Sequence, residues 1–215
     1  MSDHTLTRES PVYVLLRFLI YGLFAIVMGQ IIVWNLNSLG VAALASENGV
    51  LEWVQVAFLA FASGLSACAF CTSRSGSTIY GLIACVTAYA TAKECDTFFE
   101  AALFDDAYKY VAGVPLALLA GFLLYRGRMR FVNEISECIG YRWFGIFVTA
   151  GILLASLCQL LDSAHFWETF EQSLTLQDAK RLVEETSELY AYYFMSVAAV
   201  ESFFQSRILI APTAS

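Results

Sequence analysis

Four charged residues stand together at the end of an apolar run, in the stretch TAKECDTFFE at 91–100. On a helix, Lys93, Asp96 and Glu100 share one face, because residues three, four and seven positions apart lie above one another. Charged groups at membrane depth are costly and usually face a bundle interior or a wet cavity. The spacing therefore predicts a charged site at the end of this segment.

Three other apolar segments carry polar residues near the same predicted membrane surface. Their spacing of three or four residues places each pair on one helical face, and the pairs are Glu52 with Gln55, Gln159 with Asp162, and Glu184 with Glu188. We expect four helices to form one acidic, outward-facing pocket. The candidate cation-binding residues are Glu52, Asp96, Glu100, Asp162, Glu184 and Glu188. The candidate tuning groups are Lys93, Glu94, His165, Gln55 and Gln159.

The chemistry of such a pocket follows from its carboxylates. Carboxylates crowded in a low dielectric cannot all stay ionised, so they share protons, pair with a cation or bind a metal. Carboxylates with the single imidazole of His165 suit a divalent cation or protons better than a structural zinc ion. In the alternative interpretation, Glu52, Glu184 and Glu185 are charges at helix N-termini that the helix dipole favours, and the other charges lie at the interface and end the helices.

The composition predicts the class of protein that must position these residues. Of 215 residues, 59% are hydrophobic and only 14% are charged, whereas soluble domains carry about 25% charged residues. Mean hydropathy is +0.64. A bilayer-spanning helix needs about 20 apolar residues, and six segments approach that length. We predict an all-α, polytopic membrane protein, a single domain over 1–215 with helices near 12–34, 51–70, 78–101, 108–126, 142–162 and 183–205.

The basic residues predict the orientation of these six helices. Lys and Arg favour the cytoplasmic side in short loops. If both termini are cytoplasmic, one side holds Arg8, Arg17, Arg74, Arg126, Arg128, Arg130, Arg142 and Arg207, while most of the 19 acidic residues lie on the other side. We therefore expect cytoplasmic termini and an acidic outer face.

A second charged pair is predicted near the cytoplasmic side. Arg17 in the first segment and Glu201 in the last lie at similar expected depth. A buried ion pair between them would fix the register of two helices. The alternative is that each long side chain extends to the interface on its own.

Several functional classes are disfavoured by the sequence. The net charge of −7 and the acidic pI argue against nucleic acid as a partner. The chain also lacks the glycine-rich phosphate loops and the H-E-x-x-H and G-x-S-x-G patterns of common enzyme classes. The expected environment is the lipid bilayer.

Three short stretches resemble an uncharacterised family of multi-pass bacterial inner-membrane proteins. The stretches are ENGVLEW at 47–53, TAKECDTFFE at 91–100 and VEETSEL at 183–189. The family has an acidic-Gly-x-x-Glu-Trp pattern at the start of one helix, acids on the next and a Glu-rich final helix. The middle stretch departs from it, with Lys-Glu-Cys-Asp in place of consecutive acids. The resemblance implies a bacterial inner membrane and no particular activity.

Three functional hypotheses remain open from the sequence. The first is a membrane protein whose carboxylate pocket binds a divalent metal or protons and serves transport. The second is a membrane-embedded hydrolase or transferase in which a carboxylate-bound metal activates water. The third is a non-catalytic assembly subunit that contacts a membrane-protein partner or a second copy of the chain. The second hypothesis predicts that acidic side chains converge with His165 on one site. The third hypothesis predicts that the acidic side chains form salt bridges or point away from one another.

Overall fold

The computed structural model describes residues 10–46, 49–73, 77–167 and 174–208, and the regular structure within those ranges is entirely helical. The main helices are α1 (Pro11–Leu39), α2 (Val50–Thr72), α3 (Ser77–Glu94), α4 (Asp96–Ala102), α5 (Lys109–Ile139), α6 (Arg142–Asp162) and α7 (Leu174–Ile208). Short helical turns lie at Val41–Leu44 and Ala164–Trp167. The predicted all-α class is confirmed.

The chain divides into two compact units, 1–40 and 41–215. The first unit contains α1, which begins with Pro11 in its first turn, where a missing backbone N–H costs nothing. It ends at Gly40, whose φ of 80° is readily adopted only by glycine, and the Gly40 N–H bonds to the Leu36 carbonyl. The expectation of a single six-helix domain remains a prediction.

In the second unit, α2 and α7 pack against each other and have further neighbours on either side. Helix α2 also contacts α3, helix α7 also contacts α6, and α3 contacts α5. Two hydroxyl hydrogen bonds join these helices, from Ser63 to the Ala84 carbonyl at 3.1 Å and from Ser196 to the Phe58 carbonyl at 2.8 Å. Such bonds and small residues stabilise helix pairs where apolar burial contributes little.

The core of this unit has two apolar clusters at different levels. One contains Tyr80 and Trp143, whose ring centroids are 5.3 Å apart, near the start of α3 and α6. The other contains Leu59 and Tyr192, which are nearly fully buried between α2 and α7. Together they hold the helices in register and leave the polar residues of 91–100 and 184–188 at one end.

Within the described ranges, four helices are long and apolar enough to cross a membrane, namely α1, α2, α5 and α6. The structure therefore supports a bilayer environment. The predicted spans at 78–101 and 183–205 are also helical, but they are not among these four, because α3 and α7 have lower hydropathy. Arg8 and Arg74 are two of the basic residues that predict the orientation of the helices, and both lie outside the described residues.

The helix predicted at 78–101 is interrupted at Cys95. Helix α3 ends at Glu94 and α4 begins at Asp96, whose Oδ1 accepts hydrogen bonds from the Thr97 N–H at 2.6 Å and the Thr97 hydroxyl at 3.1 Å. Short polar side chains that bond to nearby backbone compete with a continuous helix. Asp96 therefore starts a new helix, and α4 need not continue the direction of α3.

Helix α5 continues well beyond its predicted end at residue 126. It runs to Ile139 and stops before Gly140. Its extension packs Phe131 and Ile135 against the Tyr80–Trp143 cluster, and such packing stabilises a helix more than intrinsic propensity does. The predicted link between the fourth and fifth spans is thus mostly helix.

Two glycines of α5 lie in contrasting surroundings. A Cβ at Gly127 would come within 2.9 Å of Thr78 Cγ2 and would also clash with the Thr78 hydroxyl, whereas a Cβ at Gly121 would meet no atom within 4 Å. Gly127 therefore permits the close approach of α5 to the start of α3.

We predict that Gly127→Ala destabilises the protein, because overpacking a close helix contact costs about 1–3 kcal/mol. Gly121→Ala is the matched control and should be neutral or slightly stabilising, since alanine is the better helix former. Thermal unfolding of both variants in detergent measures the difference. Equal melting temperatures for the two would contradict the assigned contact.

Candidate functional site

The polar end of the second unit brings together the first turns of α2, the last turn of α3 and the first half of α7. Helix α2 supplies Gln55, helix α3 supplies Lys93 and Glu94, and helix α7 supplies Glu185, Glu188 and Tyr192. We call these six residues the acidic cluster. The helices meet here because α2 packs on both α3 and α7.

Glu94 has donors from its own helix and from α7. Its Oε1 accepts a hydrogen bond from the Tyr192 hydroxyl at 2.8 Å, and Lys93 Nζ lies 3.4 Å from the same oxygen. The Glu94 side chain is only 9% exposed, while that of Lys93 is 53% exposed. A hydrogen bond from a buried hydroxyl fixes the position of the carboxylate. The bond also joins α3 to α7.

Gln55 makes the corresponding link between α2 and α7. Its Nε2 donates to Glu185 Oε2 at 2.9 Å and to the Glu185 carbonyl at 3.0 Å. The Gln55 side chain is fully buried, and its Oε1 has no hydrogen-bond partner among the described residues. A buried acceptor without a donor costs free energy. This oxygen therefore marks a place where a donor or a cation would be stabilised.

Glu188 completes the group of carboxylates. It interacts electrostatically with Glu94, Glu185 and Lys93, and Glu185 interacts with Glu94 in turn. Three carboxylates thus share one region with one lysine. Because the side chains are partly buried, water screens their mutual repulsion less than at an open surface.

Three predicted residues lie beside the cluster. Glu52 is half-buried and interacts electrostatically with Glu185. It lines a cavity of about 200 Å³ with Trp53 and Glu94, among others. Nearer the surface, Glu184 interacts electrostatically with Asp162.

Asp162 is held mainly by Lys180. Lys180 Nζ donates to the Asp162 carbonyl at 2.7 Å and lies 3.9 Å from Oδ1. The Asp162 side chain is 60% exposed. A contact this exposed contributes little stability, so Asp162 lies at the rim of the site.

Other predicted pocket residues make local contacts. The Asp96 carboxylate bonds to Thr97, and Glu100 Oε1 accepts the Asp106 N–H at 3.1 Å in the loop after α4. Gln159 is exposed. In the described ranges, the hydrogen bonds of Asp96 and Glu100 therefore stay within α4 and the loop after it. The side chain of His165 lies outside the described part of the chain.

The proposed Arg17–Glu201 pair concerns both units. Arg17 belongs to α1 in the first unit and Glu201 to α7 in the second. Their pairing stays a prediction.

The candidate pocket residues predicted from the sequence do not include Glu185 and Tyr192. The prediction followed the face of Glu184 and Glu188 on α7, whereas the contacts to α2 and α3 come from Glu185, Glu188, Tyr192 and Ser196. These residues are spaced by three or four and lie on one helical face. That periodicity is visible in the sequence, but it does not reveal which of two adjacent faces meets α2.

Among the described residues, no group of three or more His, Cys, Asp and Glu side chains is arranged to hold a metal ion. Glu94 and Glu185 instead bond to a tyrosine hydroxyl and a glutamine amide. What the cluster supplies directly is carboxylate oxygens, one amine and a buried acceptor.

No protein-family model, curated protein or solved structure matches this chain. The resemblance to a family of bacterial inner-membrane proteins therefore remains an expectation from three short stretches.

We predict that Tyr192→Phe destabilises the protein by about 1–2 kcal/mol, because it removes the donor to a poorly exposed carboxylate. Tyr125→Phe is the control, since the Tyr125 side chain is 68% exposed. A double-mutant cycle with Glu94→Leu, which removes the acceptor, followed by thermal unfolding, measures the coupling between the two groups. Additive effects would contradict a direct bond.

Proposed function

We propose that the protein is an integral membrane protein whose acidic cluster binds a cation and serves its transport across the bilayer. The observation that carries this proposal is that Glu94, Glu185 and Glu188 interact with one another beside Gln55, whose buried amide oxygen has no hydrogen-bond partner among the described residues. Carboxylates in such surroundings take up a proton or a cation to relieve their repulsion.

A proton is the cation that fits this cluster best. A protonated carboxyl group is both a hydrogen-bond donor and an acceptor, so it provides the donor that Gln55 Oε1 lacks. Proton uptake would also leave the bonds from Tyr192 and Gln55 in place. A divalent metal ion is the other cation that the sequence suggests for this cluster, and it is tested together with the proton.

In the proposed topology, six helices span the inner membrane of a bacterial cell, and both termini lie in the cytoplasm. Helices α5 and α6 carry Arg126, Arg130 and Arg142 at the end away from the acidic cluster. Basic residues remain on the cytoplasmic side. The cluster would then open to the outer side.

The non-catalytic assembly subunit remains the second candidate. It is favoured by the ion contacts between Lys93 and Glu94 and between Lys180 and Asp162, since that hypothesis predicts acids paired within the chain. It differs from the first proposal in requiring no response of the cluster to protons or metal ions.

We predict that the melting temperature of the purified protein rises as the pH falls from about 8 to about 6, because proton uptake relieves carboxylate repulsion. Glu188→Gln should reduce this pH dependence. A change of about 1 kcal/mol corresponds to about 2–4 °C for a chain of this size. Asp178→Asn, at an exposed position of α7, should behave as the wild type.

The same assay with Mn²⁺, Zn²⁺, Mg²⁺ and Ca²⁺ distinguishes the two cations. If one metal ion stabilises the wild type and Glu188→Gln abolishes that effect, the cation that the cluster binds is that metal ion and not a proton. If neither pH nor metal distinguishes Glu188→Gln from Asp178→Asn, the cation-binding proposal is wrong and the assembly subunit is favoured. Asp96→Asn provides a test of the residues outside the cluster, and we expect it to resemble the wild type.

The topology has its own test. A reporter that is active only in the cytoplasm should be active when it is fused to the C-terminus, because the proposed termini are cytoplasmic. A reporter after residue 104, in the exposed turn between α4 and α5, should give the opposite result. Equal signals from both fusions would contradict the six-span arrangement.

A further inference from the structure

A second cavity of about 200 Å³ lies at the end of the second unit away from the acidic cluster. It is formed where α2 ends, where α3 begins and where α5 passes both. Its lining residues are Phe70, Thr78, Leu123, Arg126, Gly127 and Arg130. None of them belongs to the acidic cluster, so the inference below does not depend on the proposed function.

Two arginines give the cavity its charge. Arg126 and Arg130 are four residues apart on α5 and therefore share a helical face. Neither forms an ion pair with a carboxylate in the described ranges. Two neighbouring cations of this kind repel each other and are stabilised by an anion placed between them.

The acid closest along the helix is already engaged elsewhere. Glu134 is one turn beyond Arg130, is buried, and accepts the Thr78 N–H on Oε2 at 3.0 Å. That bond satisfies one of the free N–H groups at the start of α3. Glu134 thus serves the helix terminus and leaves the arginines available to a ligand.

Apart from Thr78, the remaining lining residues of the cavity are apolar. Phe70 and Leu123 lie side by side over Gly81, where a Cβ would come within 3.1 Å of Phe70 Cδ2 and 2.7 Å of Leu123 Cδ1. Gly127 forms a second close contact with Thr78. The cavity therefore combines a cationic side with an apolar side.

We infer that this cavity binds the phosphate of an anionic phospholipid. The guanidinium groups of Arg126 and Arg130 donate hydrogen bonds to the phosphate oxygens, a geometry that the planar guanidinium favours. Phe70 and Leu123 contact the first methylene groups of an acyl chain. Basic pockets between membrane helices on the cytoplasmic side bind such headgroups. The apolar wall selects a lipid over free phosphate.

The test measures thermal stabilisation of the full chain in a non-ionic detergent with added phosphatidylglycerol, phosphatidylcholine or inorganic phosphate. We expect phosphatidylglycerol to stabilise the wild type and the other two to have little effect. The double variant Arg126→Gln/Arg130→Gln should need about tenfold more phosphatidylglycerol for the same shift, because charge-assisted hydrogen bonds are lost. Arg128→Gln is the control, since Arg128 stacks on Tyr125 at 4.8 Å.

A second variant separates binding from folding. Arg126→Lys/Arg130→Lys keeps both charges, should fold as the wild type does, and should still weaken the lipid response because lysine lacks the bidentate fork. The inference is overturned if Arg128→Gln loses as much response as the double glutamine variant, or if phosphatidylcholine stabilises equally. It is also overturned if inorganic phosphate alone reproduces the stabilisation, since the ligand would then be the free anion.

Discussion

The hydrogen bonds of Gln55 to Glu185 and of Tyr192 to Glu94 determine how the polar end of this protein is arranged. Both bonds satisfy carboxylates that an apolar environment would otherwise penalise. Together they tie α2 and α3 to α7, so the acids cannot move apart without losing their donors. The remaining carboxylate, Glu188, is held among them by the same helices. The proposed cation site is thus a consequence of how these three helices pack.

The two ends of the second unit have opposite charge for related reasons. At one end, carboxylates outnumber the lysine beside them, and a buried amide oxygen has no donor in the part of the chain that the structure describes. At the other, Arg126 and Arg130 face a cavity whose nearby acid, Glu134, caps α3. In both places the protein's own groups leave charge unbalanced. A proton or metal ion would balance the first, and an anionic lipid the second.

The sequence predicted the helical class and the boundaries of α6 well, because a long apolar run between charged residues has few alternatives. Its grouping of acids from several segments into one pocket stays a prediction. The predicted continuous helix at 78–101 is wrong at Asp96, where a side chain bonding to Thr97 breaks the helix. The pocket prediction also left out Glu185, because the sequence does not show whether the face of Glu184 or that of Glu185 meets α2. Contacts of this kind depend on tertiary packing, and periodicity alone does not reveal which face of a helix makes them.

The central claim is that the acidic cluster takes up a cation, and infrared difference spectroscopy tests it most directly when the cation is a proton. Spectra recorded before and after acidification report new protonated carboxyl groups by their carbonyl band. The account predicts a band in the wild type that is lost in Glu188→Gln, altered in Tyr192→Phe and kept in Asp178→Asn. Identical difference spectra for the wild type and all three variants would contradict it.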